Sequence, residues 1–123
     1  MTTTTEDKIM RKITSNAINA FINNEKFSES NTRVILNHGQ TELWLYNTLI
    51  ARCTNGKHYV TNGGYETNTT KERLNGLLIA LDAPKIYQKN FNWYYDGEDG
   101  ERRDFDYDKQ DNGFVSVDYM KGI

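Results

Sequence analysis

One cysteine, one proline and no long apolar run are what this 123-residue chain has least of. With Cys53 as the only thiol, no disulfide closes within the chain and no multi-cysteine zinc cluster can be built. No apolar stretch approaches the roughly 20 residues that a membrane-spanning helix needs. The first residues are rich in threonine and acid, not a basic stretch followed by an apolar core, so no secretory signal is read there and the expected address is intracellular. Large excess charge is missing as well: the net charge is −2. That argues against nucleic-acid binding by bulk charge, which needs a concentrated basic face. The two histidines, His38 and His58, lie in no known catalytic signature. No serine–histidine or cysteine–histidine arrangement stands out, and no carboxylate pair has acid–base spacing. The chain is expected to be no enzyme and to need no cofactor and no metal. Cys53, within the apolar run Leu49-Ile50-Ala51-Arg52-Cys53, is expected to be a buried, inert thiol.

What is present is aromatic: 12% of the residues, against an apolar fraction of only 37%. Buried rings remove large areas from water and let such a chain fold, and the length fits a single domain. Charge is uneven. Residues 1–95 hold 11 basic and 8 acidic groups, and residues 96–123 hold 4 and 9. The sequence divides into an N-terminal helix and linker (1–31), a core (32–95) and an acidic tail (96–123).

The expected fold class is α+β. Ile9, Met10, Ile13, Ala17 and Phe21 recur at helical spacing and predict a first helix over residues 5–24. The polar stretch 28–32 reads as a linker. Strands are predicted at 34–36, 42–46, 49–53 and 57–61, joined by turns at His38-Gly39 and at Asn55-Gly56, which suits a tight hairpin. The result is an antiparallel meander of about four strands. Residues 69–81 predict a central helix. Thr69 and Glu72 have capping-box spacing, and Leu74, Leu77, Leu78 and Leu81 form its apolar stripe. Asp82-Ala83-Pro84 ends it, because proline excludes helical geometry from the residue before it. A C-terminal hairpin turns at Lys89-Asn90. Residues 96–113 read as a mobile acidic loop with a short strand near 103–107, and residues 114–117 as an edge strand.

Several motifs have two readings. Gly63-Gly64 before Thr69-Thr70-Lys71 suggests a phosphate loop but lacks its Gly-Lys-Ser/Thr ending, so a strand-to-helix turn with capping threonines is the better account. Residues 96–101 match a calcium loop in composition only. Asp104, Asp106 and Asp108 alternate on an expected strand face, where they would hold a metal, mimic a phosphate backbone or, more simply, blunt an edge. Phe91, Trp93 and Tyr95 alternate too. They pack under the leucine stripe or form a stacking platform.

Ile50-Ala51, Gly63-Gly64-Tyr65, the run Thr69-Thr70-Lys71 with Arg73-Leu74-Asn75, Tyr87-Gln88-Lys89 and Trp93-Tyr94 form a pattern. On these residues the chain resembles a family of short proteins encoded by tailed bacteriophages, over about residues 34–95. The resemblance implies a phage or prophage accessory protein acting in the cytoplasm of a bacterial host. The first helix and the acidic tail lie outside the pattern and are where this chain's own function is expected.

Two functions follow as expectations. The first is a non-enzymatic protein that binds and inhibits a host factor, such as a component of a CRISPR–Cas defence system. It would dock through Glu98, Asp99, Glu101, Asp104, Asp106 and Asp108, since acidic patches attract basic channels. The alternative is a nucleic-acid-binding accessory protein using Lys71, Arg73, Lys85 and Lys89 with Tyr87 and Trp93. A homodimer through Ile9, Ile13, Ala17 and Phe21 is a further expectation, because an amphipathic helix on a polar linker docks either on its own body or on a second copy.

Overall fold

A computed structural model describes the backbone of residues 5–106 and 112–123, and the side chains of residues 11–106 and 112–123. The chain runs α1 (Thr5–Ile22), β1 (Phe27–Glu29), β2 (Thr32–Asn37), β3 (Gln40–Leu45), β4 (Thr48–Thr54), β5 (Lys57–Val60), α2 (Asn68–Ala80), β6 (Tyr87–Lys89), β7 (Asn92–Asp96), β8 (Arg102–Asp104), β9 (Val115–Ser116) and α3 (Val117–Met120). This is the α+β class, with helix, meander, central helix and C-terminal hairpin in the expected order.

Turn chemistry sets the topology. At His38-Gly39 and Asn55-Gly56 both central residues have positive φ, the geometry whose twist matches two paired strands. Antiparallel pairing continues through β2, β3, β4 and β5, with a bulge between Leu43 and Trp44. Two further strands extend the meander to six, in the order β1-β2-β3-β4-β5-β9. The segment read as a linker is in part a strand: Phe27, Ser28 and Glu29 pair with Val34, Arg33 and Thr32. Val115 and Ser116 close the other edge against Val60 and Tyr59. Both edges are only two or three residues long, which limits pairing with a second chain.

One face of this sheet carries the helices. Ala17, Ile18 and Phe21 of α1 form one buried cluster with Val34, Leu43, Leu45, Ala51 and Val60 and with Leu74, Leu77 and Leu78 of α2. Each fully buried leucine contributes about 2 kcal/mol. From Ile13 onward the stripe of α1 is therefore covered by the chain's own core, since Ile13, Ala17 and Phe21 are all buried; the side chain of Ile9 lies outside the described residues. In this fold those three side chains offer no open two-fold surface.

The second sheet, β6-β7-β8, supplies Trp93 and Tyr95 to the same core, and Phe105 follows β8 into it. All three are fully buried. Phe91 does not join them. It occupies the β6–β7 turn at positive φ and is 86% exposed. The tail is thus part of the domain. Its strand ends at Asp104, and Asp104, Phe105 and Asp106 do not alternate along a strand. Instead Asp104 Oδ1 accepts the Asp106 amide (3.0 Å), and Asp106 Oδ1 accepts Asn62 Nδ2 (2.8 Å). The ring between them, Phe105, points into the core. Asp108 lies outside the described residues.

Helix α2 starts earlier than its capping-box spacing implies. Thr67, in an extended conformation, is the N-cap, and its Oγ1 accepts the Thr70 amide (3.1 Å). Glu72 does not reach back to close a box at Thr69. It turns to α1, where its Oε1 accepts the Thr14 hydroxyl (3.1 Å). Thr67→Ala is expected to destabilise the protein by about 1 kcal/mol and Thr67→Ser by less than half of that, read from urea unfolding. The helix ends as the sequence predicts: Asp82 has positive φ, and the Ala83 amide returns to the Leu78 carbonyl (2.8 Å). Asn75 then clasps Ile86 from both sides, accepting its amide (2.7 Å) and donating to its carbonyl (2.9 Å).

Cys53 is half-buried and packs against the core, and burial pushes its thiol up from the ordinary value. A thiol held protonated is a poor nucleophile.

Candidate interaction surface

Alternation along strands β2–β5 sends one set of side chains to the helices and the other set outward. Cross-strand register places Arg33 beside Trp44, Trp44 beside Leu49, Arg52 beside Glu42 and Tyr59, and Tyr59 beside Ser116. These outward residues, Glu42 excepted, keep contact with solvent. The Arg33 guanidinium lies 5.3 Å from the Trp44 ring centre. That of Arg52 lies 4.1 Å from Tyr59 and 5.0 Å from Phe114. Each such pair contributes about 0.5–1 kcal/mol at an exposed site and holds a long side chain against a flat ring. Glu42 is buried between them, with Oε2 accepting Gln40 Nε2 (2.6 Å) and Oε1 accepting Trp44 Nε1 (3.1 Å). The carboxylate therefore positions the indole and is itself buried, whereas Arg33 and Arg52 keep contact with solvent.

Of the acidic residues expected to bind a partner, Glu98, Asp99 and Glu101 gather in the β7–β8 turn, whereas Asp104 and Asp106 follow at the far end of β8. Asp99 forms an ion pair with Arg103 (3.2 Å) and caps the Glu101 amide (3.1 Å). Glu98 packs against Gly122 at the C-terminus. With Asp99, Arg103 and Tyr119 it lines a cavity of about 350 Å³. Glu98, Glu101 and Asp104 are exposed.

The cationic and aromatic set does not come together. Arg73 is 1% exposed and Trp93 is 0% exposed, so neither can meet a base. Arg73 Nη1 donates to Thr14 Oγ1 (2.7 Å), Nε to Thr32 Oγ1 (2.9 Å) and Nη2 to Asn31 Oδ1 (3.3 Å). Burial pushes the guanidinium down from its ordinary value, against the opposing pull of the Glu72 carboxylate. Lys89 is exposed near Tyr87, whose hydroxyl donates to Asp96 (2.7 Å). That hydrogen bond raises the phenol above its ordinary value. Lys71 and Lys85 line a different feature, a groove of about 580 Å³ between α1 and α2, with Arg11, Glu72 and Gly76.

With these positions fixed, comparison with known proteins adds the context. Residues 10–121 match the family model described as Kyanoviridae Gp96 protein. The chain belongs to this family. It is a bacteriophage protein. No curated protein and no solved structure matches it. The matched span takes in most of α1 and nearly all of the C-terminal segment, so these are parts of the Gp96 family's shared sequence and not additions to a shorter core. Among the described residues, no helix is long and apolar enough to cross a membrane.

The outward sheet face was readable in principle. Trp44, Arg52 and Tyr59 each neighbour an apolar residue of the opposite face, namely Leu43, Ala51 and Val60. Only the register between strands shows that the arginines and rings meet.

Proposed function

We propose that this phage protein is a non-enzymatic binding protein that engages and inhibits a host protein in the bacterial cytoplasm, and that it docks through the outward face of the six-stranded sheet. The observation that carries this reading is the pairing of Arg33 with Trp44 and of Arg52 with Tyr59 and Phe114. Arginine, tryptophan and tyrosine are the residues enriched at interface hot spots; the rings offer large area with few torsions to freeze, and an arginine already held against a ring has less freedom to lose. Here they sit on paired strands that hold them in place. The charges of these pairs that keep contact with solvent, Arg33 and Arg52, are positive, so the partner surface is acidic. Defence-system components, including those of CRISPR–Cas systems, are the target class in keeping with a phage inhibitor. Nucleic acid is the weaker reading. Two of its six expected contact residues are buried. The rings of the outward face are met by guanidinium groups, and a duplex binder typically places about 6–10 cations on phosphates.

Affinity capture from host lysate tests this. The wild-type protein is expected to retain one host protein at near-stoichiometric level. Arg33→Ala with Arg52→Ala is expected to weaken that binding at least tenfold, whereas Glu98→Gln with Glu101→Gln changes it less than twofold. Capture of no host protein, or equal retention by the arginine variant, would count against the proposal.

A further inference from the structure

A second feature stands apart from the outward sheet face. Between the β3–β4 turn, the start of β4 and the loop that leads into α2 lies a pocket of about 270 Å³. Leu45 and Ile50, both buried, form its apolar floor. Tyr46 and Tyr65 also line it, although they are 68% and 60% exposed. Neither ring is needed by the core, and Tyr46 holds a positive φ of 54° that a bulky residue adopts only at a cost.

The loop is built to stand where it does. Gly63 has φ +63°, and a Cβ there would lie 2.3 Å from Thr48 Cγ2, so only glycine lets the loop close against β4. The Tyr65 amide then bonds the Asn62 carbonyl (2.9 Å), which fixes the turn that carries the ring. Three polar side chains of the wall, Asn62, Thr67 and Thr70, are already engaged. Asn62 donates to Asp106 and accepts the Gly64 amide (2.9 Å), and the Thr67 and Thr70 hydroxyls bond each other (2.9 Å). None of the described residues lining the pocket carries a charge.

We propose that this pocket binds a neutral, planar aromatic molecule of one or two rings, set on Leu45 and Ile50 and flanked by Tyr46 and Tyr65. Size and polarity both set the class. An apolar cavity of about 150 Å³ accepts benzene, and drug-sized ligands occupy about 300–1,000 Å³. A volume of 270 Å³ therefore suits a ring or a fused pair. An ionised ligand would lose its hydration with no countercharge to replace it. Offset or edge-on contact with tyrosine rings favours an aromatic over an aliphatic molecule of the same size.

Titration of the full chain with indole, followed by two-dimensional NMR, tests the site. Saturable shifts are expected at Leu45, Ile50 and Thr70, with a Kd of about 1 mM or tighter, as nine non-hydrogen atoms at ordinary ligand efficiency allow. Indole-3-acetate is expected to bind at least tenfold more weakly. Tyr65→Ala, at an exposed loop position, is expected to keep the wild-type unfolding midpoint and to bind indole at least fivefold more weakly. The proposal is overturned if indole gives no saturable shift at 20 times that Kd, the result expected of a pocket that takes only a side chain of a bound protein. It is equally overturned if indole-3-acetate binds as well as indole, or if Tyr65→Ala binds as the wild type does. These outcomes are separate from the lysate capture, which reads the outward sheet face.

Discussion

Arg73→Ala is expected to lower the unfolding free energy by about 3–4 kcal/mol, a large share of the roughly 5–15 kcal/mol that holds a domain of this kind together. Arg73 projects from α2, yet its guanidinium joins three elements: Thr14 on α1, Thr32 on β2 and Asn31 in the turn before β2. Thr14 and Thr32 are themselves buried. Truncation leaves these oxygens without their donor and opens a cavity where the fully buried side chain stood, and both losses act together. Arg73→Lys is expected to recover less than half of the loss, because one ammonium cannot reproduce the planar fork that reaches three acceptors. Arg73→Met fills much of the volume and still leaves the Thr14 and Thr32 oxygens without the donor they accept from, so it separates cavity from hydrogen bonding. Urea unfolding with an unchanged m-value measures all three. A loss below 1 kcal/mol for Arg73→Ala would show that the hub contributes little.

Arg73 also marks where sequence reading stops. Its neighbours Leu74, Leu77 and Leu78 announce themselves by spacing, because a helix repeats every three to four residues. The hairpins at His38-Gly39 and Asn55-Gly56 are equally local: two residues dictate the turn. An arginine inside the core has no such local sign. Its acceptors Thr14, Asn31 and Thr32 lie 59, 42 and 41 residues away. The cation that seemed available for nucleic acid is instead the tie between the helices and the sheet. The same limit hid the partner of the predicted edge strand at 114–117. Val115 and Ser116 make an edge only because Val60 and Tyr59 are open to receive them. Residues 96–113 read as a mobile loop for a related reason. Its composition is polar, and the single buried ring of Phe105 that anchors it is easily missed among aspartates. Capping failed more narrowly. Three threonines stand within four residues, 67–70, and Glu72 selects Thr69 by spacing. Glu72 is drawn to Thr14, however, and Thr67 is left as the cap.

Gly76→Ala carries the second large effect, and its sign runs against helix propensity. In an exposed helix the change would stabilise by about 1 kcal/mol. Gly76 faces α1, and a Cβ there would lie 2.4 Å from Thr14 Cγ2 and 3.5 Å from Ile18 Cγ1. A methyl group that could swing aside would relieve this. Thr14 cannot do so freely, because its hydroxyl is held by Arg73 at 2.7 Å and by Glu72 at 3.1 Å. Either the helices part or the hydrogen bonds lengthen, and overpacking of this kind costs about 1–3 kcal/mol, with a pinned neighbour at the upper end. The net expectation is a loss of about 2 kcal/mol. Thr14→Ser supplies the decisive companion. It removes the offending methyl and keeps the hydroxyl that Arg73 and Glu72 use, so in its presence only the propensity gain of about 1 kcal/mol should remain for Gly76→Ala. A double-mutant cycle on urea unfolding should give a favourable coupling of about 3 kcal/mol. If Gly76→Ala stabilises the wild-type protein, or if serine fails to rescue it, the close approach of the two helices does not depend on this glycine. If the coupling is found, Arg73, Thr14 and Gly76 act as one unit, in which the missing side chain of the glycine lets α1 come near enough for the buried arginine to reach it.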